Sequence, residues 1–162
     1  DAVLTLSDGR NSRQLPLREF YLGYKKLNKT EEERVQKISF ELPNGQTKIN
    51  FEKVCKRTHL DIATVNTALV VKRNGNTIFS AGLSAGGLGP VPLFFPKSSA
   101  WLAGKEVSES VLNTLLEIAQ TEISPISDVR GTEAYKRLLL SQLIKAHFSV
   151  LFKDEVAFSF VD

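Results

Sequence analysis

The feature that most constrains this chain is the order in which two hydrophobic periods appear. Alternation of period two, the mark of half-buried strands, prevails as far as Gly86, and the 3.6-residue spacing of amphipathic helices takes over only after Ser108. Residues 3–6 alternate, and the cluster Ser7-Asp8-Gly9-Arg10-Asn11-Ser12 turns the chain into a second short strand over 13–17. An aromatic stretch, Phe20-Tyr21-Leu22-Gly23-Tyr24, precedes the charged patch Glu31-Glu32-Glu33-Arg34. Residues 35–42 read as a strand with Ile38, Phe40 and Leu42 on one face, ending at Pro43, which has no N–H for a ladder. Asn44-Gly45 turns into a strand over 48–54. Strands over 65–71 and 77–83 flank Asn74-Gly75, a dipeptide that suits a type I′ hairpin, whose two central residues both need positive φ.

Past the loop Ser84-Ala85-Gly86-Gly87-Leu88-Gly89-Pro90-Val91-Pro92, residues 97–103 read as a short helix ended by Gly104. Ser108 is placed to cap a helix running to about Gln120, with Val111, Leu112, Leu115, Leu116 and Ala119 on one face. A longer helix over 132–152 is expected to bury Tyr135, Leu138, Leu139, Leu143, Ala146 and Val150. Strands first and helices after, with no βαβ alternation, predict an α+β fold: one antiparallel sheet with about three helices on one face.

Composition narrows the function classes. At 162 residues there is room for one domain, or one domain and part of another. A net charge of +3 with scattered lysines and arginines does not suit nucleic acid, and no apolar run reaches the roughly 18 residues a membrane span needs. The start lacks the basic and apolar regions of a signal peptide. A single cysteine, Cys55, forbids an internal disulfide and fits a reducing, cytoplasmic compartment. The absence of any methionine, even at the start, reads as the mark of a piece of a longer protein.

Little in the sequence looks catalytic. Cys55, His59 and the distant His147 do not make a metal-ligand pattern, so no metal is expected, and Cys55 reads as a small buried hydrophobe within a strand. The glycines from Gly82 to Gly89 invite a phosphate-binding reading. Yet Pro90 and Pro92 follow in place of a helix N-terminus, and close backbone packing is the preferred alternative. Lys53, Lys56, Arg57, Thr58, His59 and Asp61 form a polar, mainly cationic connection: a solvated loop, or one that meets an anionic or polar ligand. Ser127-Asp128-Val129-Arg130-Gly131-Thr132 reads as a structural clasp at a helix start, with Thr132 as the cap.

These segments together resemble the FAD-binding subunits of molybdenum hydroxylases, the xanthine and carbon monoxide dehydrogenase family. Arg18-Glu19-Phe20-Tyr21-Leu22-Gly23-Tyr24-Lys25-Lys26 is similar to the family's aromatic-glycine-tyrosine-arginine-lysine stretch near the end of the flavin domain. The segment ending in Leu42-Pro43, the stretch from Phe51-Glu52-Lys53 to Asp61-Ile62-Ala63-Thr64-Val65-Asn66, the loop Gly86-Gly87-Leu88-Gly89-Pro90-Val91-Pro92 and residues 127–137 follow in the family's order.

The resemblance implies that residues 1–43 are the tail of the FAD-binding domain and 44–162 a CO dehydrogenase flavoprotein C-terminal-like domain. It implies no catalytic residue here. Lys53 and a backbone position at about Lys37 would lie close to FAD, with Lys53 placing a cation beside the flavin. FAD would be shared with a preceding part that carries the pyrophosphate motifs, and the isolated fragment would be inactive. Molybdopterin and 2Fe-2S clusters would reside on partner domains or subunits, with FAD passing electrons from the clusters to NAD or another acceptor. The family's mobile loop corresponds to about residues 54–64, and its sequence here differs from the animal enzymes. The alternative is a non-catalytic interaction or assembly module without its own cofactor.

Overall fold

The structure, a computed structural model, describes residues 1–58 and 60–153. It divides into two compact units, Asp1–Leu42 and Pro43–Asp162. In the first unit, β1 (Val3–Ser7) lies between β2 (Ser12–Pro16) and β5 (Arg34–Ser39) in an antiparallel sheet, and β3 (Tyr21–Gly23) pairs with β4 (Lys26–Leu27). Leu4, Leu6, Leu15 and Phe20 form its small core. The β1–β2 turn is held by Asp8, whose carboxylate accepts from the main-chain N–H of Arg10 at 2.7 Å and of Asn11 at 2.6 Å. Arg13 grips Glu33 at 2.6 and 3.0 Å. That guanidinium, helped by the Thr30 N–H, holds the Glu33 carboxyl down at about 2. The strand expected over 35–42 stops at Ser39, and Ile38, Phe40 and Leu42 are exposed rather than buried on a shared face.

The second unit carries the main core. β6 (Thr47–Val54), β7 (Val65–Asn74), β8 (Thr77–Gly86) and β9 (Leu93–Phe94) form an antiparallel sheet in that order. Three helices, α1 (Pro96–Leu102), α2 (Glu109–Gln120) and α3 (Glu133–Leu151), share one continuous core with the sheet's inner face. Val65, Leu69 and Val71 of β7 and Ile78, Leu83 and Ala85 of β8 meet Leu102, Leu112, Leu115, Leu140, Ile144 and Phe148 of the helices. Each such large side chain removed from water contributes roughly 1.5–3 kcal/mol before entropy is counted. The expected α+β fold, an antiparallel sheet with three helices, is the one observed.

Local chemistry explains where the helices begin. The Ser108 hydroxyl accepts from the Val111 N–H at 3.3 Å and the Thr132 hydroxyl from the Tyr135 N–H at 3.2 Å, both as N-caps. α1 lacks a capping side chain of its own; Glu122 serves instead, accepting from the N–H groups of Lys97 and Ser98 at 2.9 and 2.8 Å. At the far end of α3, Lys48 donates to the Leu151 carbonyl at 2.9 Å. No described helix is long and apolar enough to cross a membrane.

Three details differ from expectation. The β7–β8 hairpin turns on Gly75-Asn76, because Asn74 pairs with Thr77, and only Gly75 has positive φ (59°), so the type I′ requirement is not met. The glycine-rich loop is shorter than expected, since β8 runs on to Gly86. The buried stripe of α3 is Lys136, Leu139, Leu140, Leu143, Ile144, His147, Phe148 and Leu151, whereas Tyr135, Leu138 and Val150 are exposed and Ala146 only half-buried.

Candidate functional site

Pairing across β6, β7 and β8 sorts their side chains into two sets. Val54, Glu52 and Asn50 lie opposite Val65, Thr67 and Leu69, and these side chains point toward the helices. On this inner side, His147 of α3 is fully buried. Its Nδ1 accepts from the Asn50 amide at 2.9 Å, so the ring proton sits on Nε2 and is shared with the Thr67 hydroxyl at 2.8 Å. The same Asn50 amide donates to Glu52 at 2.8 Å. Burial pushes the imidazole down to about 4, and the nearby Glu52 charge offsets only part of that. At neutral pH His147 is an uncharged strut between α3 and the sheet. Among the described residues, no group of three or more His, Cys, Asp or Glu side chains is assembled to hold a metal.

The outer face carries the other set. Lys53, Phe51 and Ile49 of β6 stand opposite Asn66, Ala68 and Val70 of β7, which in turn face Gly86, Ser84 and Gly82 of β8. Phe94 of β9 pairs with Ser84. The face therefore has a floor of small side chains with Phe51 on one flank, Phe94 on the other, and Lys53 with Asn66 and Gly86 in one cross-strand row at its end. Phe51 and Ile49 are exposed at 59% and 51%.

The loop after β6 is folded upon itself beside that end. Lys53 donates to the Asp61 carbonyl at 2.8 Å. The Asp61 carboxylate accepts from the Arg57 N–H at 2.9 Å and the Ile62 N–H at 3.0 Å, and pairs with the Arg57 guanidinium at 3.2 Å. The Arg57 main-chain N–H, followed by its guanidinium, lowers the Asp61 carboxyl below its ordinary range. Cys55 lies in this loop rather than in the strand, half-buried, with its Sγ donating to the Arg57 carbonyl at 3.0 Å. His59 lies outside the described residues.

The clasp at the start of α3 is tied to the same loop. Asp128 and Gly131 exchange main-chain hydrogen bonds at 3.0 and 3.1 Å, Ser127 accepts from the Glu133 N–H, and Asp128 accepts from the Arg130 N–H. Gly131 lies at φ 159°, close to extended backbone, so its need for glycine is steric: a Cβ there would stand 2.9 Å from the Tyr135 ring. Lys136, 2% exposed, donates to the Ile126 carbonyl and pairs with Asp128, both at 2.8 Å. Lys136 and then the Arg130 N–H lower the Asp128 carboxyl. Lys56 reaches the Val129 carbonyl at 2.6 Å, and Thr64 reaches the Arg130 carbonyl at 3.3 Å.

Of the two residues singled out from the sequence, Lys53 stands on the outer face of the second unit. Lys37 lies in the first unit on β5, an edge strand, opposite Thr5. Sequence reasoning did not single out Asn66, or Gly86 as its neighbour on the face. A signal was present: a glycine within a strand pattern often marks a close approach.

As a receptor, the outer face suits a flat, largely apolar ring with a polar edge, because its floor has no bulky side chain and its polar groups gather at one end. It does not suit a pyrophosphate. The glycine-rich turn is used for packing: Gly87, at φ 86°, leaves room for the Thr64 carbonyl, which would lie 2.3 Å from a Cβ. Leu88 is buried, and no helix N-terminus follows the turn directly.

Comparison with known proteins agrees with this fold. Residues 51–150 match the family described as the CO dehydrogenase flavoprotein C-terminal domain. The chain is 26% identical over 148 residues to the glyceraldehyde dehydrogenase medium chain of Sulfolobus acidocaldarius, covering 91% of this chain and 52% of that one. It is 30% identical over 142 residues to xanthine dehydrogenase 1 of Arabidopsis thaliana, covering 82% of this chain and 10% of that protein. A solved carbon monoxide dehydrogenase from Hydrogenophaga pseudoflava, lacking the Mo-pyranopterin moiety of the molybdenum cofactor, superimposes with a TM-score of 0.84 at 25% identity, over 90% of this chain and 50% of that one. The chain thus spans about half the length of the medium chains it matches.

Proposed function

The chain belongs to the family of CO dehydrogenase flavoprotein C-terminal domains, and from that premise we propose that it forms the C-terminal half of the flavoprotein component of a molybdenum hydroxylase. Its second unit closes over FAD with the outer face of the β6–β9 sheet, and residues 1–43 are the tail of the FAD-binding domain. The observation that carries this reading is the coincidence of the family match with a small-floored, aromatic-flanked face bearing Lys53 at its polar end.

FAD, when bound, supplies electron transfer from iron–sulfur clusters on partner domains or subunits, next to a molybdenum centre, to NAD or another acceptor. This chain's own residues orient and enclose it. The Lys53 ammonium, held by the Asp61 carbonyl, brings a fixed positive charge to the polar end, where added electron density is stabilised. From its own unit Lys37 contributes through the edge of β5, where half of the main-chain groups point away from β1. The lone cysteine supports a cytoplasmic enzyme.

The test is Lys53→Ala in the full-length protein. FAD retention is expected to fall or the flavin midpoint potential to drop, and a flavin unchanged in both respects removes Lys53 from the site. The alternative, an assembly module without cofactor, predicts a full-length protein that purifies without flavin.

A further inference from the structure

We infer that Asn66 is a flavin-contacting residue whose carboxamide hydrogen-bonds the polar edge of the ring system, an inference that rests on the reading above. Three observations meet at this side chain. Register puts it on the outer face, directly between Lys53 on β6 and Gly86 on β8. The opposite pleat confirms the direction, since the next residue, Thr67, bonds to His147 on the helix side.

The amide is also held against a main chain that has no side chain to spare. A Cβ on Gly86 would stand 2.8 Å from the Asn66 Nδ2 and 3.1 Å from its Oδ1. The shorter of these is closer than side chains tolerate, so the amide would have to move aside, and Gly86 is what lets the carboxamide lie where it does over β8. No described residue takes its hydrogen-bonding groups: among the described residues no side-chain hydrogen bond engages the Asn66 amide, which leaves it open on the face although it is half-buried. Its neighbours differ. Lys53 is committed to the Asp61 carbonyl, and on the inner face Asn50 serves both Glu52 and His147.

A primary amide offers two donors and an acceptor on one planar group. The pyrimidine edge of a flavin alternates carbonyl, N–H and carbonyl, so one amide can satisfy adjacent positions on it. Lys53 supplies charge at this end of the face, and Asn66 supplies orientation.

The experiment uses the full-length protein carrying its upstream part and loaded with FAD. Asn66→Ala is expected to raise the FAD dissociation constant up to about tenfold, the loss of one or two hydrogen bonds, and to displace the visible flavin absorption bands. The melting temperature of the FAD-free protein should not move. Asn66→Asp keeps the shape and adds a negative charge, so its flavin midpoint potential should fall below that of the wild type. Lys53→Ala is measured in parallel. If Lys53→Ala perturbs the flavin while both Asn66 variants bind it with unchanged affinity, spectrum and potential, the inference is wrong and the functional reading stands. If neither position perturbs the flavin, the functional reading itself falls and takes the inference with it.

Discussion

Replacing His147 with glutamine should abolish a specific pH dependence of stability. The imidazole is fully buried between Asn50 and Thr67 and titrates at about 4, against 6.5 for a free histidine. Between those values the unfolded chain takes up a proton that the native protein refuses, so unfolding is favoured as pH falls. The stabilisation tied to the neutral ring is complete above about pH 6.5, declines as pH drops, and levels off below about 4. At about 1.4 kcal/mol per pH unit, the interval of about 2.5 units amounts to about 3.5 kcal/mol. The carboxylate held down by Arg13 acts at lower pH. Glu33, held at about 2, loses its contribution only as pH falls from about 4.5 downward.

Urea unfolding of the wild type and His147→Gln across pH 4 to 7 is the assay, with the difference between the two stability curves isolating the histidine. The variant will be less stable at neutral pH, because glutamine does not reproduce both bonds of the ring, and the gap should close as pH falls. Its curve should nevertheless lack the decline between pH 6.5 and 4. Two parallel curves would refute the reasoning and mean that His147 protonates in the native state as it does in water.

Asp128→Ala should lower the melting temperature by stranding the buried Lys136 ammonium, and adding Lys136→Met should recover part of the loss. Full turnover loss with unchanged melting would instead assign the clasp a chemical role. The chain by itself, titrated calorimetrically with FAD, should bind more weakly than about 10 μM, since Lys53 and a polar loop provide far less than the roughly 8 kcal/mol that micromolar affinity requires.

The sequence announced the helix starts because capping is local chemistry: Ser108 and Thr132 each bond an N–H three residues on. It misdirected the reading of α3 because the buried stripe contains Lys136 and His147, polar residues made tolerable only by distant partners, Asp128, Asn50 and Thr67. Cys55 was misread for a similar reason: alternation continues past Val54, but the ladder ends there and the thiol turns into the loop. Lys53 stood out in the sequence as one member of a cationic connection, and only the family resemblance singled it out there as a candidate neighbour of a flavin. Asn66 and Gly86 become conspicuous only when register sets them side by side.

Because the two faces of β6 alternate residue by residue, the strand encodes two unrelated demands in one reading frame. Losing a single residue between Asn50 and Lys53 would put the lysine and the histidine's partner on the same face, so that one of them must point the wrong way, and insertions and deletions within the strand should be purged in evolution. Its loop is free of that constraint. Val54 pairs with Val65, and the Thr64 N–H donates to the Val54 carbonyl at 2.8 Å, which clamps both ends whatever lies between. The connection between these clamped ends is therefore the place where descendants of one scaffold can diverge in length and charge, provided that a main-chain carbonyl still meets Lys53 as that of Asp61 does.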